Sequence, residues 1–204
     1  KVKSGNYDNI LQDSLRYSDC NLIIIFWELC NLIDGFQARA ELLDDEQQER
    51  FINKTISEID FVIKNLKSTS LVLINSFSSL PFSVNNLKNT QLANIADKLN
   101  SYILENLPSN FKIIDIEKIM SIIGIRHCLN YKYFYSSKML YTFDFFLSYS
   151  NYINPIILSI NGKAKKALIF DCDNTLWKGI LGEDGFDKIE MSKASKEGAV
   201  FAEI

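Results

Sequence analysis

Histidine is almost missing from this 204-residue chain: His127 stands alone. One histidine could serve a Ser-His-Asp set, but the residue three before His127 is Gly124 rather than Asp, and no working set is found. Cysteine is sparse and scattered. Cys20, Cys30, Cys128 and Cys172 include no CxxC pair, which speaks against a zinc site and a dense disulfide framework and fits a reducing cytoplasm. No apolar run approaches the roughly 20 residues that span a bilayer. The longest, residues 22–27, is strand-sized, and no membrane role is expected. A basic surplus is missing too: 22 basic against 25 acidic residues leave a net charge of −3. That balance argues against a nucleic-acid partner, yet it admits phosphorylated small molecules, which local groups hold. Internal repeats and low-complexity tracts are absent. The opening residues, KVKSGNYDNI, contain neither Met nor a signal-like apolar region, so a natural start upstream is expected.

What the chain does contain is an alternation of strand-like and helix-like segments. NLIIIFW (21–27), SLVLIN (70–75) and FKIIDI (111–116) are short, apolar and rich in β-branched residues, as strands buried on both faces of a parallel sheet are. Between them, residues 44–66 and 86–107 carry apolar positions at helical spacing. Asp44 with Gln47 reads as a capping box, and Pro108 closes the second helix. Such an order predicts an open α/β sheet with right-handed crossovers. An aromatic stretch follows, and residues 137–160 read as mostly helical, with Pro155 kinking or restarting the helix. Its Tyr and Phe residues read as core and helix-packing surface. NGKAKK (161–166) has the Asn-Gly stop and polar run of a linker.

Directly after that linker comes ALIFDCDNTLWKGILGEDG (167–185). Residues 167–170 read as a strand, which places Asp171 at its carboxyl end, where ligands bind in open α/β sheets. With a period of two, Asp171 and Asp173 should project to one side while Cys172 points away. Two like charges on one side repel unless a cation lies between them or one is protonated, and magnesium is the natural cation: hard, oxygen-coordinated and able to share phosphate oxygens. One carboxylate can then attack phosphorus while the other moves the proton. Thr175 can fix the turn, and Gly179, Gly182 and Gly185 suit a small mobile flap.

Strand-DxDxT resembles the first motif of the haloacid dehalogenase (HAD) superfamily. The run DCDNTLWKGILGEDG (171–185) is similar to the FkbH-like, HAD-IIIC phosphatase branch, whose usual form is DLDNTLWGGVIGEDG; Cys172 and Lys178 are the main departures. The resemblance implies that Asp171 is nucleophile and magnesium ligand. It implies that Asp173 is general acid/base and second ligand, and that residues 177–185, Trp177 included, cover the site. It further implies an SGNH-hydrolase-like domain ahead of the motif, here without its catalytic set and so a scaffold. The expected fold is therefore α/β: a three-layer SGNH/flavodoxin-like parallel-sheet domain over residues 1–160, a linker at 161–166, and the start of a HAD-type Rossmannoid domain over 167–204. The remaining HAD motifs would lie past Ile204, so the fragment alone should bind magnesium poorly and turn nothing over.

Implied with the family is a cytoplasmic, Mg2+-dependent enzyme that acts on a small phosphorylated substrate. FkbH-like proteins pass a glyceryl unit from 1,3-bisphosphoglycerate to the thiol of an acyl carrier protein, with loss of phosphate. Two other readings stand beside that one. The chemistry could be plain phosphatase action on another small ester, or the visible chain could be chiefly a non-catalytic binding domain.

Overall fold

The computed structural model describes residues 2–32, 35, 39–82, 90–163, 167 and 169–203. The chain divides into two compact units, Lys1–Ile160 and Asn161–Ile204. In the first, β1 (Leu22–Ile25), β2 (Leu71–Asn75) and β3 (Phe111–Ile114) form a parallel sheet in that order. Leu22 lies opposite Leu71, and Val72 opposite Phe111. β2 is central and buried at every position, which explains why its sequence shows no polar alternation. Its side chains alternate between two cores: Val72 and Ile74 enter one, Leu71 and Leu73 the other.

Helices cover both faces. One core gathers residues of α1 (Ile10–Arg16), α2 (Asp45–Asn65) and α3 (Gln91–Asn106). The other gathers residues of α4 (Ile116–Ile123) and α5 (Phe143–Ile160). α2 begins as its sequence predicts, with Asp44 and Gln47 exchanging both bonds of a capping box. α3 starts later than expected: the Thr90 hydroxyl caps it by accepting from the Ala93 amide at 3.2 Å, and residues 83–89 lie outside the described residues. Ile95, Leu99 and Ile103, one face of α3, are sealed from water; each such side chain contributes roughly 1.5–3 kcal/mol. The expected helix over 137–160 is interrupted. A short helix, Tyr131–Ser137, ends at Lys138 in the left-handed region (φ 59°), and α5 begins at Phe143. Pro155 sits inside α5, where it removes one backbone donor without ending the helix. Part of the aromatic stretch fills a core: Tyr141 stacks on Phe145 with centroids 4.1 Å apart and both are buried, whereas Tyr133, Tyr135 and Phe143 are exposed. Among the described residues, no helix is long and apolar enough to cross a membrane.

The carboxyl ends of β1 and β2 are tied by a buried polar knot. The Asn75 side chain accepts from the Trp27 amide at 2.5 Å and donates to the Trp27 carbonyl at 2.7 Å. It also donates to Glu28 Oε1 at 3.3 Å. Glu28 is only 5% exposed, and burial pushes its carboxyl from 4.5 up to about 8, with the neighbouring Tyr141 hydroxyl offsetting part of that rise. The fold therefore favours the protonated acid. The associated stability is present below about 4.5 and is lost as pH rises through the folded value near 8. Within that window unfolding measurements should lose up to about 1.4 kcal/mol per pH unit, and Glu28→Gln should flatten the slope. Equal slopes in the parent protein and the variant would rule the assignment out.

Candidate active site

The second unit contains the aspartate pair, and its geometry corrects the strand expected at 167–170. Ala167, Ile169 and Phe170 are not in a strand, Leu168 lies outside the described residues, and Ile169 is 96% exposed. A strand is stabilised by a hydrogen-bonded neighbour, and among the described residues of this unit no sheet exists to supply one. Without a strand, the period of two does not operate. Cys172 is exposed rather than turned into a core, and Asp171 is exposed beside it, its Oδ1 accepting from the Cys172 amide at 2.9 Å.

Asp173 is instead the hub of a turn. Its Oδ1 accepts from the Trp177 indole Nε1 at 3.2 Å and from the Leu181 amide at 3.1 Å, which fastens the expected flap at its first residue and at its middle. The Cys172 carbonyl accepts from the Thr175 and Leu176 amides, at 3.2 and 2.9 Å, so Thr175 enters the turn through its backbone. Asn174 adopts φ 53°, a left-handed conformation that asparagine tolerates better than most residues. Its side-chain oxygen accepts from the Gly179 amide at 3.0 Å, while its own amide donates to the Gly179 carbonyl at 3.3 Å. Asn174 was not singled out from the sequence, although Asn just after an Asp-x-Asp run is a turn signal in its own right.

The three glycines separate into two kinds. Gly179 (φ 109°) and Gly185 (φ 76°) hold conformations that other residues rarely adopt, whereas Gly182 lies in the short helix Leu181–Asp184 with open space around it. A methyl group on Gly179 would also sit 3.4 Å from Asp184 Oδ2, the atom that accepts from the Ile180 amide at 2.9 Å. Gly179→Ala should strain the turn by about 1–3 kcal/mol and release the Trp177 indole. By NMR, the indole N–H signal of Trp177 should then move to the position of a free indole, while Gly182→Ala leaves it in place. Identical spectra for the two variants would sink this account. Lys178, the other departure from the family pattern, is built into the turn. Its backbone pairs in both directions with Glu190, at 2.9 and 3.0 Å, and its ammonium meets Glu197, whose carboxyl it holds below the ordinary value.

The donors expected for magnesium are of the right chemical kind. Hard carboxylate oxygens from one or two residues are what Mg2+ asks of a protein, with water and phosphate completing its shell. The fit is nonetheless minimal. Among the described residues no group of three or more His, Cys, Asp or Glu side chains is gathered to hold an ion. Asp173 Oδ1 is already spent on two N–H donors. Asp171 and Asp173 could hold magnesium with a phosphate ligand present, but they do not form a cage by themselves. His127, in the short helix Ile125–Cys128 of the first unit, is exposed.

No family model matches the chain, and no curated protein matches it. A solved structure is similar to it: the crystal structure of the N-terminal part of the protein BF1531 from Bacteroides fragilis, containing a phosphatase domain and complexed with Mg. The two agree with a TM-score of 0.72 at 19% sequence identity. The match covers 100% of this chain and 56% of that chain, so this chain spans little more than half the relative's length. The chain thus shares the α/β fold of a protein region that contains a phosphatase domain.

Proposed function

We propose that residues 167–204 belong to a magnesium-dependent HAD-type phosphatase domain of the FkbH-like kind, preceded by an SGNH-like scaffold domain. The observation that carries this reading is the 171–185 run, in which two aspartates one residue apart are joined to a glycine-hinged turn through Asp173 Oδ1. The likeness to a phosphatase-containing structure complexed with Mg supports it. When bound, magnesium supplies charge neutralisation for the incoming phosphate.

In this reading a carboxylate oxygen of Asp171 attacks phosphorus, forming an aspartyl-phosphate as the bond to the leaving oxygen breaks. Asp171 is exposed, so an incoming phosphate can reach it. Asp173 delivers a proton to the leaving oxygen and afterwards takes one from the water that hydrolyses the intermediate. Its anchoring to Trp177 and Leu181 couples the proton carrier to the flap, so closure over a substrate and alignment of the acid become one event. The substrate is a small phosphate ester, with 1,3-bisphosphoglycerate as the specific candidate. Asp171 takes the phosphoryl group from its ester oxygen, and the thiol of an acyl carrier protein attacks its acyl carbon, the acyl phosphate leaving as inorganic phosphate while the thiol loses its proton.

The test uses a protein that carries the whole phosphatase domain. It is incubated with 1,3-bisphosphoglycerate and a carrier protein bearing its thiol arm, and the carrier is weighed by mass spectrometry. A glyceryl adduct with released phosphate is the expected result. Phosphate release without an adduct would reduce the reading to a plain phosphatase, and neither product would reject both.

A further inference from the structure

The first unit holds a cavity of about 320 Å³ at the carboxyl end of β1. Phe26, Glu28, Cys30, Tyr141 and Phe146 line it, and that volume is within the range of small-ligand sites. Two of its polar groups are buried and underused. Glu28 is 5% exposed and bonds to Asn75 at 3.3 Å, yet among the described residues no cation pairs with it. Tyr141 is 6% exposed, and its hydroxyl stands close enough to Glu28 to offset part of that carboxyl's rise, yet it makes no well-aligned hydrogen bond among the described residues. A buried hydroxyl without a well-aligned partner costs about 1–3 kcal/mol, and a ligand that engages it removes the penalty.

The walls are aromatic. Phe26 meets Tyr141 edge-on with centroids 5.3 Å apart, and Phe146 stands 5.7 Å from Phe26. Ring faces attract cations, most strongly where water is excluded. Among the described residues, the charged groups that line the cavity are Asp8, Glu28 and Lys138. An anion would face both acids, whereas an ammonium ion brings N–H donors and a charge that draws Glu28 into its carboxylate form.

We propose that this cavity binds a small organic ammonium ion, with Glu28 as counter-charge, the Tyr141 hydroxyl as an orienting group and the aromatic rings as walls. Binding then has a proton signature. Burial keeps Glu28 largely protonated up to about pH 8, and an ammonium ligand needs the carboxylate, so each binding event expels one proton. The thiol and phenols around it stay neutral below that pH. Burial raises the Cys30 thiol to about 12 and the Tyr141 phenol well above 10, and Tyr7 is raised as well.

The probe is n-butylammonium, titrated into the complete chain by NMR, with butyrate and butanol as anionic and neutral controls of equal size. Butylammonium should bind with an affinity that rises up to about tenfold per pH unit below pH 8 and levels off above it. Glu28→Gln should weaken binding at least tenfold and abolish the pH dependence. Tyr141→Phe should weaken it severalfold and keep the dependence, and this pair of readings decides the matter if Glu28→Gln does not fold. Equal binding of butyrate or butanol would overturn the proposal, as would a flat pH profile or no shift of the lining residues with butylammonium.

Discussion

Asp171→Asn is expected to abolish turnover by a protein that carries the complete phosphatase domain, by at least about 10³-fold in phosphate release, because an amide oxygen is a poor nucleophile toward phosphorus. Stability should barely move, within about 0.5 kcal/mol, since Asp171 is exposed and its one bond is to the adjacent amide. The neighbouring position separates two roles. Asp173→Asn keeps a side-chain oxygen able to accept from Trp177 and Leu181, so the turn should survive, but the substituted group carries no transferable proton. Turnover should then fall by about 10²–10⁴-fold with ordinary esters and recover partly with a substrate whose leaving group needs no protonation. Full activity in Asp171→Asn would remove the aspartyl-phosphate from consideration. An equal loss with both substrate types in Asp173→Asn would make that residue structural.

The largest stability effect is expected at Asn75. The side chain is fully buried and satisfies both the amide and the carbonyl of Trp27, itself only 5% exposed. Asn75→Ala deletes both partners and leaves two backbone groups orphaned between β1 and β2, a cost of about 3–5 kcal/mol by urea unfolding. That is a large part of the roughly 5–15 kcal/mol that holds a typical domain. Asn75→Asp should be damaging for a different reason: it can accept from the Trp27 amide but cannot donate to the carbonyl, and it sets a second acid against Glu28. A loss below about 1 kcal/mol for Asn75→Ala would mean that water or a shifted backbone replaces the amide.

What was legible in the sequence follows a physical division. β2 could be read because five consecutive buried positions leave no room for polar residues, and α2 because Asp44 and Gln47 form a local motif that depends on nothing distant. Residues 167–170 misled because composition reports only what a segment is able to become. A strand also requires a partner, and the partner is not a local property. Asp171 and Asp173 were found as residue types, but their placement was not: Asp173 turns inward to an indole and an amide, a contact set by the left-handed Asn174 between them and the flap. Glu28 escaped notice for the opposite reason. A lone acid after an apolar run looks like the start of a solvated loop, and only the packing of Tyr141 and Asn75 around it shows that it is enclosed.

Among the described residues of the second unit only Gly198 is buried. What joins it internally is polar: the Lys178–Glu190 backbone pair, the contact of Lys178 with Glu197, and an exposed pair between Lys193 and Glu203 at 3.0 Å. Interactions of that sort are weak in water and fade with ionic strength. A dilute protease should therefore nick beyond Ile160 first, and faster at high salt, while the sheet unit persists as a resistant core that melts in one step at its own temperature.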